Sequence, residues 1–221
     1  MLTGVATRAL IFDFDGTLAD TEAAVLQSWQ EMFRDHGVEL PLAVWLTVIG
    51  TQDTPATMFR LLAEHVAGID PERLLPGIRA RIRELLEAEG PREGVLSYLD
   101  DAAARGLALG VASSSTGAWV HGQLDRLGFA ARFAAVETRD RHAAKPHPDT
   151  YLAALDDLGV TAAEAIAFED SPHGVSAAKA AKLVTVAVPN PITATLDFSD
   201  ADLILPSFTA KSLGEVLDLV S

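Results

Sequence analysis

The chain contains no cysteine. That excludes disulfides, thiolate zinc sites, iron–sulfur clusters and cysteine nucleophiles, and it fits a reducing compartment. Lysine is scarce as well: four in 221 residues, at Lys145, Lys179, Lys182 and Lys211. Basic residues number 17 against 31 acidic ones, a formal charge of −14. Nucleic acid and anionic lipid, both polyanions, are poor partners for such a chain. Long apolar runs are missing too. Stretches such as Leu107 to Ala112 fall far below the ~18 residues of a membrane span. Met1 to Arg8 shows no basic start followed by a sustained apolar segment, so no signal peptide is expected and the chain reads as cytoplasmic. Internal repeats and low-complexity tracts are absent. What is present is globular: 49% hydrophobic and 22% charged residues. A chain of this length buries about 70–75% of its unfolded surface without staples.

The first element, Ala9-Leu10-Ile11-Phe12, is short and continuously apolar. Strands buried on both faces of a parallel sheet read this way. Similar runs recur at Leu107–Ala112, Ala165–Phe168, Val184–Val188 and Leu203–Leu205. Helical stretches separate them, at Gly94–Arg105, Thr116–Gly128, Pro148–Gly159 and Pro172–Lys182. The alternation predicts an α/β fold built on a doubly wound parallel sheet. One gap breaks the rhythm. Between the strand ending at Asp13 and the next near Leu107, the segment 18–90 reads as helices: Thr21–His36, Thr57–Val66 and Glu72–Glu89. The expected organisation is a core of residues 1–17 and 91–221 with a helical insert, 18–90, leaving from a strand's C-terminal end. Ligands bind at that end of such sheets, so the insert is a candidate lid.

Polar residues follow the apolar runs. Asp13 and Asp15 flank Phe14 directly after the first strand, and Gly16 permits a turn that would aim both carboxylates at one place. Glu169, Asp170 and Ser171 follow Ala165–Phe168. Helix capping explains Ser171 and Pro172 but not Asp170. Facing strand ends would make Asp13, Asp15 and Asp170 a hard oxygen cluster suited to Mg²⁺. Ser113 and Ser114 end another strand and open a helix, either as a cap or as an oxyanion cradle. Lys145, in Lys145-Pro146-His147-Pro148, is either a solvated lysine or the cation that balances the acids and a phosphate. The six histidines show no paired metal spacing. Trp29, Trp45 and Trp119 read as core. Arg79, Arg81 and Arg83 read as a solvated helix face from which one arginine could meet a substrate.

Taken together, Asp13-Phe14-Asp15-Gly16-Thr17-Leu18, Ser113, Lys145-Pro146-His147-Pro148 and Glu169-Asp170-Ser171 resemble, in order and spacing, the four motifs of the haloacid dehalogenase-like superfamily. Asp20-Thr21-Glu22 and the stretch from Glu169 to Ala181 resemble its subgroup of β-phosphoglucomutases and phosphoglycolate and sugar-phosphate phosphatases. The resemblance implies a Rossmann-like core with an inserted helical cap. It implies an Mg²⁺-dependent phosphatase acting on a small phosphorylated metabolite. Asp13 would be the nucleophile that forms an aspartyl-phosphate, and Asp15 the general acid and base. The metal would be held by Asp13, the Asp15 backbone carbonyl and Asp170, with Glu169 nearby. Ser113, the Ser114 backbone N–H and Lys145 would bind phosphate. One departure is Lys182, where the subgroup often has glycine after a helical Ala-Ala. The presence of Asp15 disfavours a dehalogenase, and the absence of a lysine in 18–90 disfavours a phosphonatase. A β-phosphoglucomutase and a catalytically idle binding protein are the alternatives. Against the mutase, Val25 stands where its pattern has histidine, and Asp53 stands about where it has an arginine for the distal phosphate.

Overall fold

The computed structural model describes residues 6–49 and 54–220. Six strands form one sheet: β1 (Ala9–Phe12), β2 (Ala108–Ala112), β3 (Ala135–Glu137), β4 (Ala165–Glu169), β5 (Val184–Ala187) and β6 (Leu203–Ile204). Their order is β3-β2-β1-β4-β5-β6, and every neighbouring pair is parallel. The architecture is the doubly wound, Rossmann-like α/β fold expected from the apolar runs. β1 is central and each of its four residues is fully buried, which is why it reads as unbroken apolar sequence.

Helices cover both faces. On one side Phe12 stacks on Phe168 with ring centroids 4.8 Å apart, and Tyr98 and Phe208 meet Phe168 from α5 (Val95–Ala104) and the chain near its end. The other face is alanine-rich. Ala154, Ala165, Ala167, Ala177 and Ala178 let α7 (Asp149–Leu158) and α8 (Pro172–Ala180) lie close to the strands.

Between β1 and α5 lie α1 (Thr21–Asp35), α2 (Leu42–Trp45), α3 (Thr54–Ala63) and α4 (Pro71–Leu86). They bury an apolar cluster of their own around Trp29, Trp45, Met58, Phe59, Leu62 and Ile82. The chain enters and leaves this body at adjacent points: Ala19 bridges Pro91, and the Arg92 N–H donates to the Leu18 carbonyl at 3.0 Å.

The structure adds elements that the apolar pattern does not announce. β3 is three residues long and only partly apolar, α2 is a single turn, and α9 (Leu213–Val220) closes the chain. The second strand begins at Ala108 rather than Leu107, and the helices start or stop within about three residues of their expected ends. Lys182, with φ 65°, is the only non-glycine residue at positive φ among the described residues. It closes α8 through its own N–H to Lys179 and the Leu183 N–H to Ala178. The position asks for the left-handed backbone that glycine supplies.

Candidate active site

The chain runs outward from β1 through β2 to β3, then returns to β1's other side with β4. That reversal opens a crevice beyond the C-terminal ends of β1 and β4, where such sheets bind ligands. Register pairs Phe12 with Phe168, so the residues that follow, Asp13 and Glu169, emerge side by side. Asp13, Glu169 and Asp170 are buried, and each offers a carboxylate oxygen within 4.8 Å of the others.

Lys145 is drawn into the same place from the loop before α7. Its ammonium donates to Asp13 Oδ1 and to Glu169 Oε1, and it is buried. Tyr151 donates its hydroxyl to Glu169 Oε1 at 2.7 Å, and the Asp170 N–H donates to Glu169 Oε2 at 3.2 Å. Both oxygens of Glu169 are therefore occupied by protein donors. Gly174 makes this possible. A methyl group there would lie 1.9 Å from the Glu169 carboxylate.

Asp170 is held from another side. Asn190 donates its side-chain N–H to Asp170 Oδ2 at 2.6 Å, while Asn190 Oδ1 accepts from the Ile192 and Thr193 N–H groups. The latter bonds fix which end of the amide faces Asp170. Gly16, with φ +79°, lets both side chains approach, since a methyl group there would sit 2.1 Å from Asp170 Oδ2. Arg92 ties the two loops together by donating to the carbonyls of Gly16, Val188 and Pro189. Burial lowers the pKa of its guanidinium, offset in part by Asp170 and Asp20.

Asp15 accepts three bonds: from Thr21 Oγ1 (2.8 Å) and Trp119 Nε1 (2.8 Å) at Oδ1, and from Ser115 Oγ (2.6 Å) at Oδ2. Ser113 is buried at the end of β2, its Oγ accepting the Ser115 N–H at 3.0 Å. Ser114 accepts the Lys145 N–H on its hydroxyl at 3.1 Å. All of the sequence-derived candidates thus gather in one place. Trp119 is a correction. Its half-buried ring packs against both apolar clusters but, unlike Trp29 and Trp45, it is not enclosed in either, and its indole N–H is bonded to Asp15.

The electrostatics are those of a site short of positive charge. Burial, joined by Glu169 and Asp15, pushes the Asp13 carboxyl up to about 8 even though Lys145 opposes it. Burial, with Asp13 and Glu169, pushes Asp170 well above its ordinary value. Burial pulls the Lys145 ammonium down, but Asp13 and Glu169 more than reverse this, and its pKa stands above that of a free lysine. One lysine cannot balance this many acids. A hard divalent cation among Asp13, Asp170 and their neighbours fits the oxygen donor set and the charge deficit.

A cavity of about 1200 Å³ opens over these groups. Its floor holds Asp13, Asp15, Ser113 and Lys145, and its far wall comes from α1 and α4. Glu22 and Val25 face it from α1. Burial, with Asp15, Asp13 and Asp20, raises the Glu22 carboxyl to about 8. Arg79 and Arg83, one turn apart on α4, both face the cavity. Arg81, between them, turns away to Glu31 and Glu84. The arginine face therefore divides into a paired residue and two that front the cavity. Asp53 lies outside the described residues. His142 pairs with Glu137, and His147 is exposed.

Sequence reasoning missed Asn190, Trp119, Tyr151 and Gly174. Asn190 stands two residues beyond the run Val184–Val188, with Pro189 between, so a search for polar residues directly after apolar runs passes it by. Trp119 lies in the first turn of α6 (Gly117–Arg126), beside the serines. Tyr151 and Gly174 carry no local signal.

A family model described as haloacid dehalogenase-like hydrolase matches residues 10–188. The chain is 43% identical to the provisionally named phosphatase YhcW of Bacillus subtilis over 213 residues, covering 96% of each chain. It is 31% identical to the fructose-1-phosphate phosphatase YqaB of Escherichia coli, over 81% of this chain and 95% of that one. Among solved structures, CbbY from Rhodobacter sphaeroides in complex with xylulose-(1,5)bisphosphate superposes with a TM-score of 0.76. It shares 26% identity, covering 91% of this chain and 95% of that chain. Among the described residues no helix is long and apolar enough to cross a membrane.

Proposed function

The chain belongs to the haloacid dehalogenase-like hydrolase family and is a phosphoric monoester hydrolase; from that premise we propose that it hydrolyses a small sugar phosphate through an aspartyl-phosphate on Asp13, with Mg²⁺ as cofactor. The observation that carries this reading is the meeting of Asp13, Lys145 and Asp170 in one buried cluster beneath a cavity. Asp13 attacks phosphorus and splits one displacement into two easier ones. Asp15 gives a proton to the leaving oxygen and later takes one from the attacking water. Ser113, Ser114 and Lys145 hold the phosphoryl oxygens as charge spreads over them. Asp13 and Asp170, with the Asp15 carbonyl and Glu169 beside them, are the residues that would hold Mg²⁺. When bound, the ion neutralises the repulsion between a carboxylate and a phosphate dianion. Lys145, tied to both Asp13 and Glu169, keeps the nucleophile oriented.

Residues 18–90 act as a cap that covers the site and excludes water from the first step. The separate apolar cluster of α1–α4 and the adjacent chain crossings at Ala19 and Pro91 support this. Arg79 and Arg83 give the far wall positive charge for the polar end of a phosphorylated sugar, the compound class named for YqaB and for the CbbY ligand. Water is the acceptor. Val25, which faces the cavity where the mutase pattern has histidine, cannot carry a proton to a second sugar hydroxyl.

The test is Asp13→Asn, nearly isosteric and unable to attack. Phosphate release from fructose 1-phosphate and from p-nitrophenyl phosphate should fall at least about 10³-fold while the far-ultraviolet circular dichroism spectrum of the folded chain is retained. Retention of more than a trace of turnover would refute the covalent route.

A further inference from the structure

Asp15 is the centre of a small network that draws on two parts of the chain. Thr21, at the start of α1, donates to Oδ1, and Ser115 donates to Oδ2. Both are hydroxyls, which rotate and can either donate or accept. Trp119 is different. Its indole N–H only donates, along one direction fixed by the ring, and it points at Oδ1 from 2.8 Å.

The ring is itself tightly placed. It packs against the apolar cluster of the sheet and against that of α1–α4, so it stands at the junction of the two bodies. Its helix is anchored at the start. Thr116 caps α6 by accepting the Trp119 N–H, and the Gly117 N–H donates to Asp140 Oδ2 at 2.8 Å. Packing alone does not require the indole N–H to meet a carboxylate. The ring is half-buried and fronts the cavity, where water could serve its N–H.

We propose that Trp119 is a positioning residue that holds the Asp15 carboxyl at the angle needed to protonate the leaving oxygen. The inference rests on the general-acid role given to Asp15 above. In that step an Asp13 oxygen forms a bond to phosphorus and the bond from phosphorus to the leaving oxygen breaks. The bonding electron pair stays on the leaving oxygen, which takes the proton of Asp15. An alkoxide leaves poorly without that proton, whereas p-nitrophenolate leaves well without it. Misplacing the acid therefore penalises alkyl esters selectively, and an error of about 1 Å can cost about 100-fold.

The experiment compares kcat/KM for β-glycerophosphate and p-nitrophenyl phosphate on the whole chain with Mg²⁺. This ratio reports only steps up to the first irreversible one. Trp119→Phe keeps an apolar ring and removes the N–H. It should lower kcat/KM for the alkyl ester about 10- to 100-fold, mostly through kcat, and leave the aryl ester within about threefold. If Trp119→Phe fails to fold, benzothienylalanine at position 119 replaces only the N–H with sulfur and preserves the shape. Equal losses on both esters would reduce Trp119 to a packing residue, and no loss on either would remove it from the mechanism. Asp15→Asn separates the two levels. If it too lacks the selective alkyl loss, the acid role of Asp15 fails. If Asp15→Asn shows that loss and the Trp119 variants do not, only the present inference fails.

Discussion

At the residue scale, the carboxylates that burial raises, Asp13, Glu22 and Asp170, oppose the stability of the fold. Glu22 is the most readily tested, because it lies outside the cluster read as the metal site. Burial and its acidic neighbours raise it from 4.5 to about 8 in the fold. Between those values the folded chain binds a proton that the unfolded chain has lost. Stability therefore falls as pH rises from about 4.5 through 8, and the full penalty stands above 8. Glu22→Gln should remove that slope. At pH 9 it should stabilise the chain by about 2 kcal/mol, an amount reduced for partial solvent screening, and at pH 4.5 it should change little. Urea melts at the two pH values measure this, and equal effects at both would contradict the assignment.

At the element scale, α8 is the part of the fold that both builds the site and carries a strained end. Ser171 caps its start, its Oγ accepting the Gly174 N–H at 3.1 Å, and Gly174 leaves room for the Glu169 carboxylate. Just beyond its C-cap, Ala181, Lys182 takes the left-handed region. A side chain there costs roughly 1 kcal/mol relative to glycine. Lys182→Gly should raise stability by about 0.5–1 kcal/mol in a denaturant melt and leave turnover unaltered. The helix end lies at the N-terminal edge of β5, remote from the strand ends that bear the acids. A destabilised variant would mean that the Lys182 side chain contributes packing that outweighs the backbone strain.

At the scale of the whole molecule, the reversal of strand order at β1 concentrates acids from chain positions over 150 residues apart, Asp13 and Asp170, in one buried cluster. The net charge of −14 adds to the need for a local counter-charge. Mg²⁺ binding should therefore act on folding as well as on turnover. Excess chelator should stop phosphate release and Mg²⁺ should restore it. Added Mg²⁺ should also raise the melting temperature of the metal-free chain, and Asp170→Asn should abolish most of that rise. Full turnover in excess chelator would rule out the metal. Ca²⁺ should bind without supporting turnover, because its looser, larger coordination does not hold the nucleophile at the Mg²⁺ distance.

The sheet class was legible in the sequence, and so were most of the residues that the structure brings together at the candidate site. Strands buried on both faces are locally apolar, so Ala9–Phe12 and Ala165–Glu169 announce themselves, and a polar residue directly after such a run sits at a strand end. The helices between β1 and α5 show as a missing strand in an otherwise regular rhythm. Asp13, Asp15, Ser113, Lys145 and Asp170 were legible for these reasons. Tertiary structure alone decided who partners whom. Nothing near Asn190 in the chain indicates that its amide meets Asp170, nor anything near Trp119 that its indole reaches Asp15 across 104 positions. β3 stayed hidden because a strand of three residues carries too little pattern, whereas β6 falls inside the apolar run Leu203–Leu205. The physical reason is common to all of these. Burial imprints each residue's own chemistry on the sequence, whereas a hydrogen bond between distant residues depends on side-chain directions that exist only after strand order and helix placement have brought them together.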